Sequence, residues 1–172
     1  MDFLTLAKKR YSSRKYSTKS VEPQKLNYVL EAGRVAPTAK NLQPHKILVI
    51  QEQKGLEKLA KSARTYSAPV ALVVCADHTQ AWVRPFDDKD HGDVDVSIVT
   101  DHMMLAATEQ GLSSVWVCYF DPEIVREEFG IPETLEPVNV LLLGYAEDSP
   151  KPMDRHDEMR KPLSETVFYE KF

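Results

Sequence analysis

The apolar patterning predicts an α+β domain, a three-layer sandwich with helices on both sides of a central sheet. Three observations lead there. Segments with helical spacing alternate with short apolar runs of strand character, four such runs are strong, and no Gly-, Ser- or Pro-rich linker divides the 172 residues. A chain of this length can bury roughly 68–70% of its unfolded surface, core enough without disulfide or metal staples. No internal repeat is evident, and strand order is left open.

Phe3, Leu4, Leu6 and Ala7 have helical spacing and predict a short helix ending near Arg10, its basic last turn suited to the negative end of the helix dipole. A second helix is expected from Pro23, a good first-turn residue, to Val35, where Ala36-Pro37 ends it. Ile47 to Ile50 reads as a buried strand, Leu56 to Ala63 as a helix, and Val70 to Cys75 as a central strand. A long helix from Asp93 to Gln110 is apolar on several faces and stops at Gly111, which makes it a candidate for the core or an oligomer interface. Val115 to Tyr119 is the next strand. Asp121 as N-cap and Pro122 as first residue open a short helix that Gly130 closes, and Val138 to Leu143 is the last strand. Beyond Gly144 the chain turns polar and Pro-rich and ends in aromatic residues, an extended tail expected to embrace another surface.

With 22 basic and 26 acidic residues the net charge is −4, against a dedicated nucleic-acid binder. Cys75 and Cys118 stand in apolar runs outside any CxxC and are expected in the core of a reduced, cytoplasmic protein. The N-terminus has its charges after a short apolar stretch, the reverse of a signal peptide, and no run reaches membrane-spanning length. No GxGxxG or GxxxxGK[ST] occurs. Ser12-Ser13-Arg14-Lys15 matches the S-x-x-K of acyl-serine enzymes, but there is no companion K-T-G. The acidic run from Asp87 to Asp95 places Val99 where an EF-hand needs its bidentate glutamate, so it reads as a solvated loop and helix start. The histidines lack an HExxH spacing, and no metal is expected.

The remaining chemistry lies in two places. Lys8, Lys9, Arg10, Arg14, Lys15 and Lys19 would ordinarily be a solvated helix end and loop. The interleaved Ser12 and Ser13 add hydroxyls to forked guanidiniums, a set suited to phosphate. Asn41 and Gln43 would ordinarily serve the local backbone, yet in a loop bounded by Pro37 and Pro44 they offer both donors and acceptors.

Arg10-Tyr11-Ser12-Ser13-Arg14, Pro37-Thr38-Ala39-Lys40-Asn41-Leu42-Gln43-Pro44, Gly111-Leu112-Ser113-Ser114-Val115-Trp116 and Arg160-Lys161-Pro162-Leu163 together resemble the nitroreductase family, over nearly the whole chain. The resemblance implies a single FMN-binding domain over residues 1–172, a mostly antiparallel central sheet, and an arm from about 146 to 172 exchanged with a dimer partner. It places FMN at the homodimer interface. Arg10, Tyr11, Ser12 and Arg14 would lie at the phosphate, joined by Arg160 first and Lys161 second. Pro37, Thr38, Ala39, Asn41 and Gln43 would run beside the flavin ring, and Trp116 and Val117 would bring backbone near it. Where the family commonly has an aromatic residue after this loop, the chain has His45.

The implied activity is transfer of a hydride from NADH or NADPH to FMN and then reduction of a nitroaromatic, quinone or similar small-molecule acceptor, in a ping-pong sequence. The flavin carries that chemistry, so no catalytic acid, base or nucleophile is assigned. Two other readings stay open: a specialised flavin reaction on the same fold, such as dehalogenation or flavin fragmentation, and a non-enzymatic module binding a phosphoryl ligand or nucleic acid.

Overall fold

The structure is a computed structural model that describes residues 1–172. Its centre is β2 (Val70–Asp77), every residue of which is buried. The next strand in space is β6 (Leu135–Gly144), and β1 (His45–Ile50) and β5 (Ser113–Val117) are the edges, giving the order β1-β2-β6-β5 with every pair antiparallel. A strand turns alternate side chains to opposite faces. Val70, Leu72, Val74 and Ala76 accordingly join one core with Leu26, Val29, Val96, Val99 and Met103. Ala71, Val73 and Cys75 join the other with Leu59 and Val125. These are the three expected layers.

On the first face lie α2 (Pro23–Arg34) and α4 (Gly92–Glu109), with α1 (Phe3–Lys9) against α4. Gly33 lets α2 and α4 approach closely, since a Cβ there would stand 2.9 Å from Met103 Cγ. The second face carries α3 (Gln53–Leu59) and α5 (Pro122–Phe129). Asp121 caps α5 by accepting from the N–H groups of Glu123 and Ile124, and Gly130 ends it in the left-handed conformation at φ 64°.

Several expectations are corrected. The last strand begins at Leu135, before Pro137, because a bulge absorbs the proline's missing N–H: Val74 pairs with Asn139 but Cys75 with Pro137, leaving Val138 unpaired. The strand expected over 115–119 lies at 113–117, where β6 supplies its partners from Gly144 to Val140. Cys118 therefore falls beyond the strand and is exposed, whereas Cys75 is buried and its thiol is pushed up to about 11 by desolvation. The helix expected over 56–63 starts at Gln53 and stops at Leu59, after which Ala63 bridges Phe120. The acidic run from Asp87, expected as a solvated loop, instead contributes β4 (Lys89–Asp90) to a small hairpin with β3 (Val83–Arg84). The tail is not simply extended, for it forms the short helices α6 (Arg155–Met159) and α7 (Leu163–Thr166). No helix is long and apolar enough to cross a membrane.

Candidate functional site

The site has a basic end and an amide loop. At the basic end, α1 starts on Asp2, whose carboxylate accepts from the Thr5 N–H at 3.0 Å, and finishes at Arg10. The chain then runs along the outer edge of β5, with Ser12 bridging Ser114 and the Ser13 N–H donating to the Ser114 carbonyl at 3.0 Å. Pairing here covers a sheet edge that would otherwise present unpaired backbone. Asp148, just past β6, fixes the segment: it accepts from Ser13 Oγ at 2.6 Å, from the Arg14 N–H at 3.0 Å and from Tyr11 Oη at 3.4 Å. Partial burial opposes ionisation of Asp148, but these hydrogen bonds outweigh it and hold its carboxyl below the usual range.

Ser13 and Tyr11 are thus engaged with Asp148. Arg10 and Ser12 are half-buried and Arg14 is exposed, touching the Ser12 carbonyl at 3.4 Å. Arg10 lies within the electrostatic reach of Arg155 and Arg160; burial first, and then those two like charges, lower its pKa, with Asp101 of α4 opposing. The fold therefore unites Arg10 with Arg160, from opposite ends of the chain. Lys161 is exposed and takes part in no side-chain hydrogen bond or ion pair. Arg155 was missed in the sequence, where nothing distinguishes it from other tail charges.

The amide loop joins α2 to β1 through a 3₁₀ turn at Ala39–Asn41. Lys40, Asn41 and Gln43 all adopt positive φ, at 52°, 56° and 53°. For non-glycine residues this conformation is held only where the surroundings impose it, and such strain gathers at ligand-binding sites. Two bonds impose it here. The Ala39 N–H donates to Asp95 Oδ1 at 2.8 Å, and the Gln43 N–H to Thr38 Oγ1 at 3.1 Å. Asp95, on α4, is only 1% exposed, and its Oδ2 has no partner. Pro37, Asn41 and Gln43 are exposed, Thr38 and Ala39 half-buried, and the Gln43 amide donates to the Asn41 carbonyl at 3.1 Å. The sequence places Asp95 in a solvated helix start, and an aspartate three residues into a helix gives no sign that it faces inward.

Beyond the loop, His45 is half-buried with Nδ1 unpaired, and burial foremost, then Lys46, lowers its pKa, with Asp95 opposing. Trp116 is half-buried and borders an open groove with Asp93, Val94, Ile98 and His102 along α4, while Val117 is half-buried against the second core. The acidic run is drawn into ion pairs. Arg84 pairs with Asp87, and His78 lies between Asp90 and Glu136 at 2.9 Å each, tying the hairpin to β6. No sequence spacing signals that contact, because its members come from separate elements.

The sequence profile of the nitroreductase family matches residues 7–67 and 58–145. The chain belongs to the nitroreductase family. A relative from Methanothermobacter thermautotrophicus, provisionally named an NADH dehydrogenase/NAD(P)H nitroreductase, is 32% identical over 168 residues, 93% of this chain and 85% of its own. Among solved structures, a nitroreductase family protein from Clostridium difficile 630 is 55% identical, with TM-score 0.98 and full coverage of both chains. An FMN-dependent nitroreductase from Clostridium difficile R20291 is 28% identical, with TM-score 0.80 over 97% of this chain and 98% of its own. The family's sandwich is thus present here, antiparallel sheet included.

Proposed function

We propose that this nitroreductase-family chain is an FMN-dependent oxidoreductase that draws electrons from NADH or NADPH and passes them to a nitroaromatic, quinone or similar acceptor. The observation that carries the reading is the half-buried Arg10 beside Arg155 and Arg160, in a chain of net charge −4. Arg155 is bonded to the Arg10 carbonyl at 2.7 Å and Arg160 lies within electrostatic reach, with Asp101 the one opposing carboxylate; such a set would suit an anion, and forked guanidinium donors match a phosphate monoester. Arg10, Ser12, Arg14 and Arg160 would hold that phosphate. Asn41 and Gln43, exposed on a rigidly held loop, would meet the polar edge of the flavin. Asp95 and Asp101, which mark the two ends, are six residues apart on α4, or about 9 Å along its axis, so one elongated ligand can reach both.

When bound, FMN supplies the two-electron redox chemistry. The chain's own residues would anchor it through Arg10, Ser12, Arg14 and Arg160 and orient its ring through Asn41 and Gln43. Reductant and acceptor would enter the same opening in turn. Burial favours the neutral imidazole of His45, which could take part there as an uncharged donor or acceptor.

A second copy of the chain would complete the molecule. Phe3 is 66% and Val35 60% exposed along a groove formed by α1, α2 and α4 with Tyr28 and Leu105, and Tyr169 in the tail is 85% exposed. An apolar surface of this kind marks an interface, and the arm from about residue 146 would reach across it. Sedimentation should show a dimer at micromolar concentration, with deletion from Ser164 lowering both dimer stability and flavin retention.

The deciding experiment is to purify the protein, record the flavin absorbance, release the ligand by heat and identify it chromatographically. FMN is expected, with anaerobic NADH or NADPH bleaching it and an acceptor restoring it, and with parallel double-reciprocal lines. FAD, or no flavin after incubation with FMN, overturns the reading. A flavin that dithionite reduces but both nicotinamides leave oxidised would favour a specialised reaction on the same fold.

A further inference from the structure

The tail is fastened to its own chain before it reaches Arg160. Arg155 Nη1 donates to the Lys8 carbonyl at 3.0 Å and to the Pro152 carbonyl at 2.6 Å, and Nη2 donates to the Arg10 carbonyl at 2.7 Å. His156 Nε2 also meets the Lys8 carbonyl, at 3.3 Å. The carbonyls at a helix C-terminus lack intrahelical partners and carry the negative end of the dipole, so a guanidinium is well suited to cap them. Arg155 thus closes the end of α1, half-buried, and one short helix later Arg160 lies within electrostatic reach of Arg10.

We propose that Arg155 is the positioning residue of the phosphate end: by capping α1 it holds Arg10 and brings Arg160 beside it. The inference rests on the flavin reading above. A cap alone needs donors and no charge, and a neutral side chain would spare Arg10 a like charge. A third guanidinium in this place is favourable when the ends of α1 and of the tail close on an anion. The root of the tail is thereby anchored on its own subunit, whichever surface the last residues cover.

The test compares FMN with riboflavin, which has the same ring but no phosphate, by fluorescence titration of the full-length protein stripped of flavin. Arg155→Ala should weaken FMN by about tenfold or more and leave riboflavin within about twofold. Arg155→Lys, which keeps the charge and part of the donor set, should recover part of the loss. Because Arg155 acts largely through Arg160, adding Arg155→Ala to Arg160→Ala should cost less than the product of the single losses. Melting curves identify a variant that fails to fold, and Arg155→Lys then carries the comparison, expected to lose FMN affinity and not riboflavin affinity. Unchanged FMN affinity, or equal loss for both ligands, overturns the positioning role. Wild-type protein that binds riboflavin and FMN alike overturns the phosphate site itself, and protein that binds neither overturns the flavin reading.

Discussion

The amide loop and the basic end are held in opposite ways. The loop is contiguous in sequence, strained at three non-glycine positions, and pinned from behind by the buried Asp95. The basic end is assembled from segments more than 130 residues apart, with little backbone strain, through Asp148 on one side and Arg155 on the other. A local site can thus be shaped by one buried carboxylate acting on a conformation the chain resists. A site built from both ends of the chain depends on side chains that cap and bridge. The two should fail differently: damage to the loop should affect any ligand bearing the flavin ring, and damage to the basic end only ligands bearing phosphate.

The largest effect is expected at Asp95. Asp95→Ala leaves the Ala39 N–H without its acceptor, a loss of about 1.5–3 kcal/mol for a bond to a charged group, so FMN and riboflavin should both weaken by roughly tenfold to a hundredfold. Titration with both ligands checks this, and selective loss of FMN would break the division of labour. Next comes Arg10→Ala, expected to cost about tenfold or more for FMN in the same titration and to leave riboflavin unchanged.

The pH response should separate the ends as well. Asp148 has a folded pKa below its unfolded value, so its contribution is fully present above the unfolded carboxylate range, near about 4, and is lost as pH falls through the folded value. Melting temperature should therefore fall with acidification below about pH 4, and Asp148→Asn should flatten that part of the profile. An identical acid limb in the variant would show that Asp148 does not brace the segment. The smallest effect is expected at Lys161, exposed and unpaired: Lys161→Ala should alter FMN affinity by no more than about twofold, since exposed ion contacts contribute little. A loss as large as that of Arg10→Ala would move the phosphate toward Lys161 and away from Arg155.

The sequence determined what local chemistry determines. An uninterrupted apolar run fixed β2, apolar residues on several helical faces fixed the body of α4, Asp121-Pro122 and Gly130 set the ends of α5, and the residue types around Arg10 and Asn41 raised the expectation of a polar ligand. Only the tertiary structure decided the rest. Pro137 looks like a strand breaker until a bulge at Val138 in its own strand accommodates it, and Cys118 looks like core until β5 ends one residue earlier. Asp95, Asp148 and Arg155 carry no signature because each acts on backbone groups supplied by distant segments. A residue's own neighbours set its propensity, but the groups its side chain meets are set by how the sheet closes and where the chain ends return.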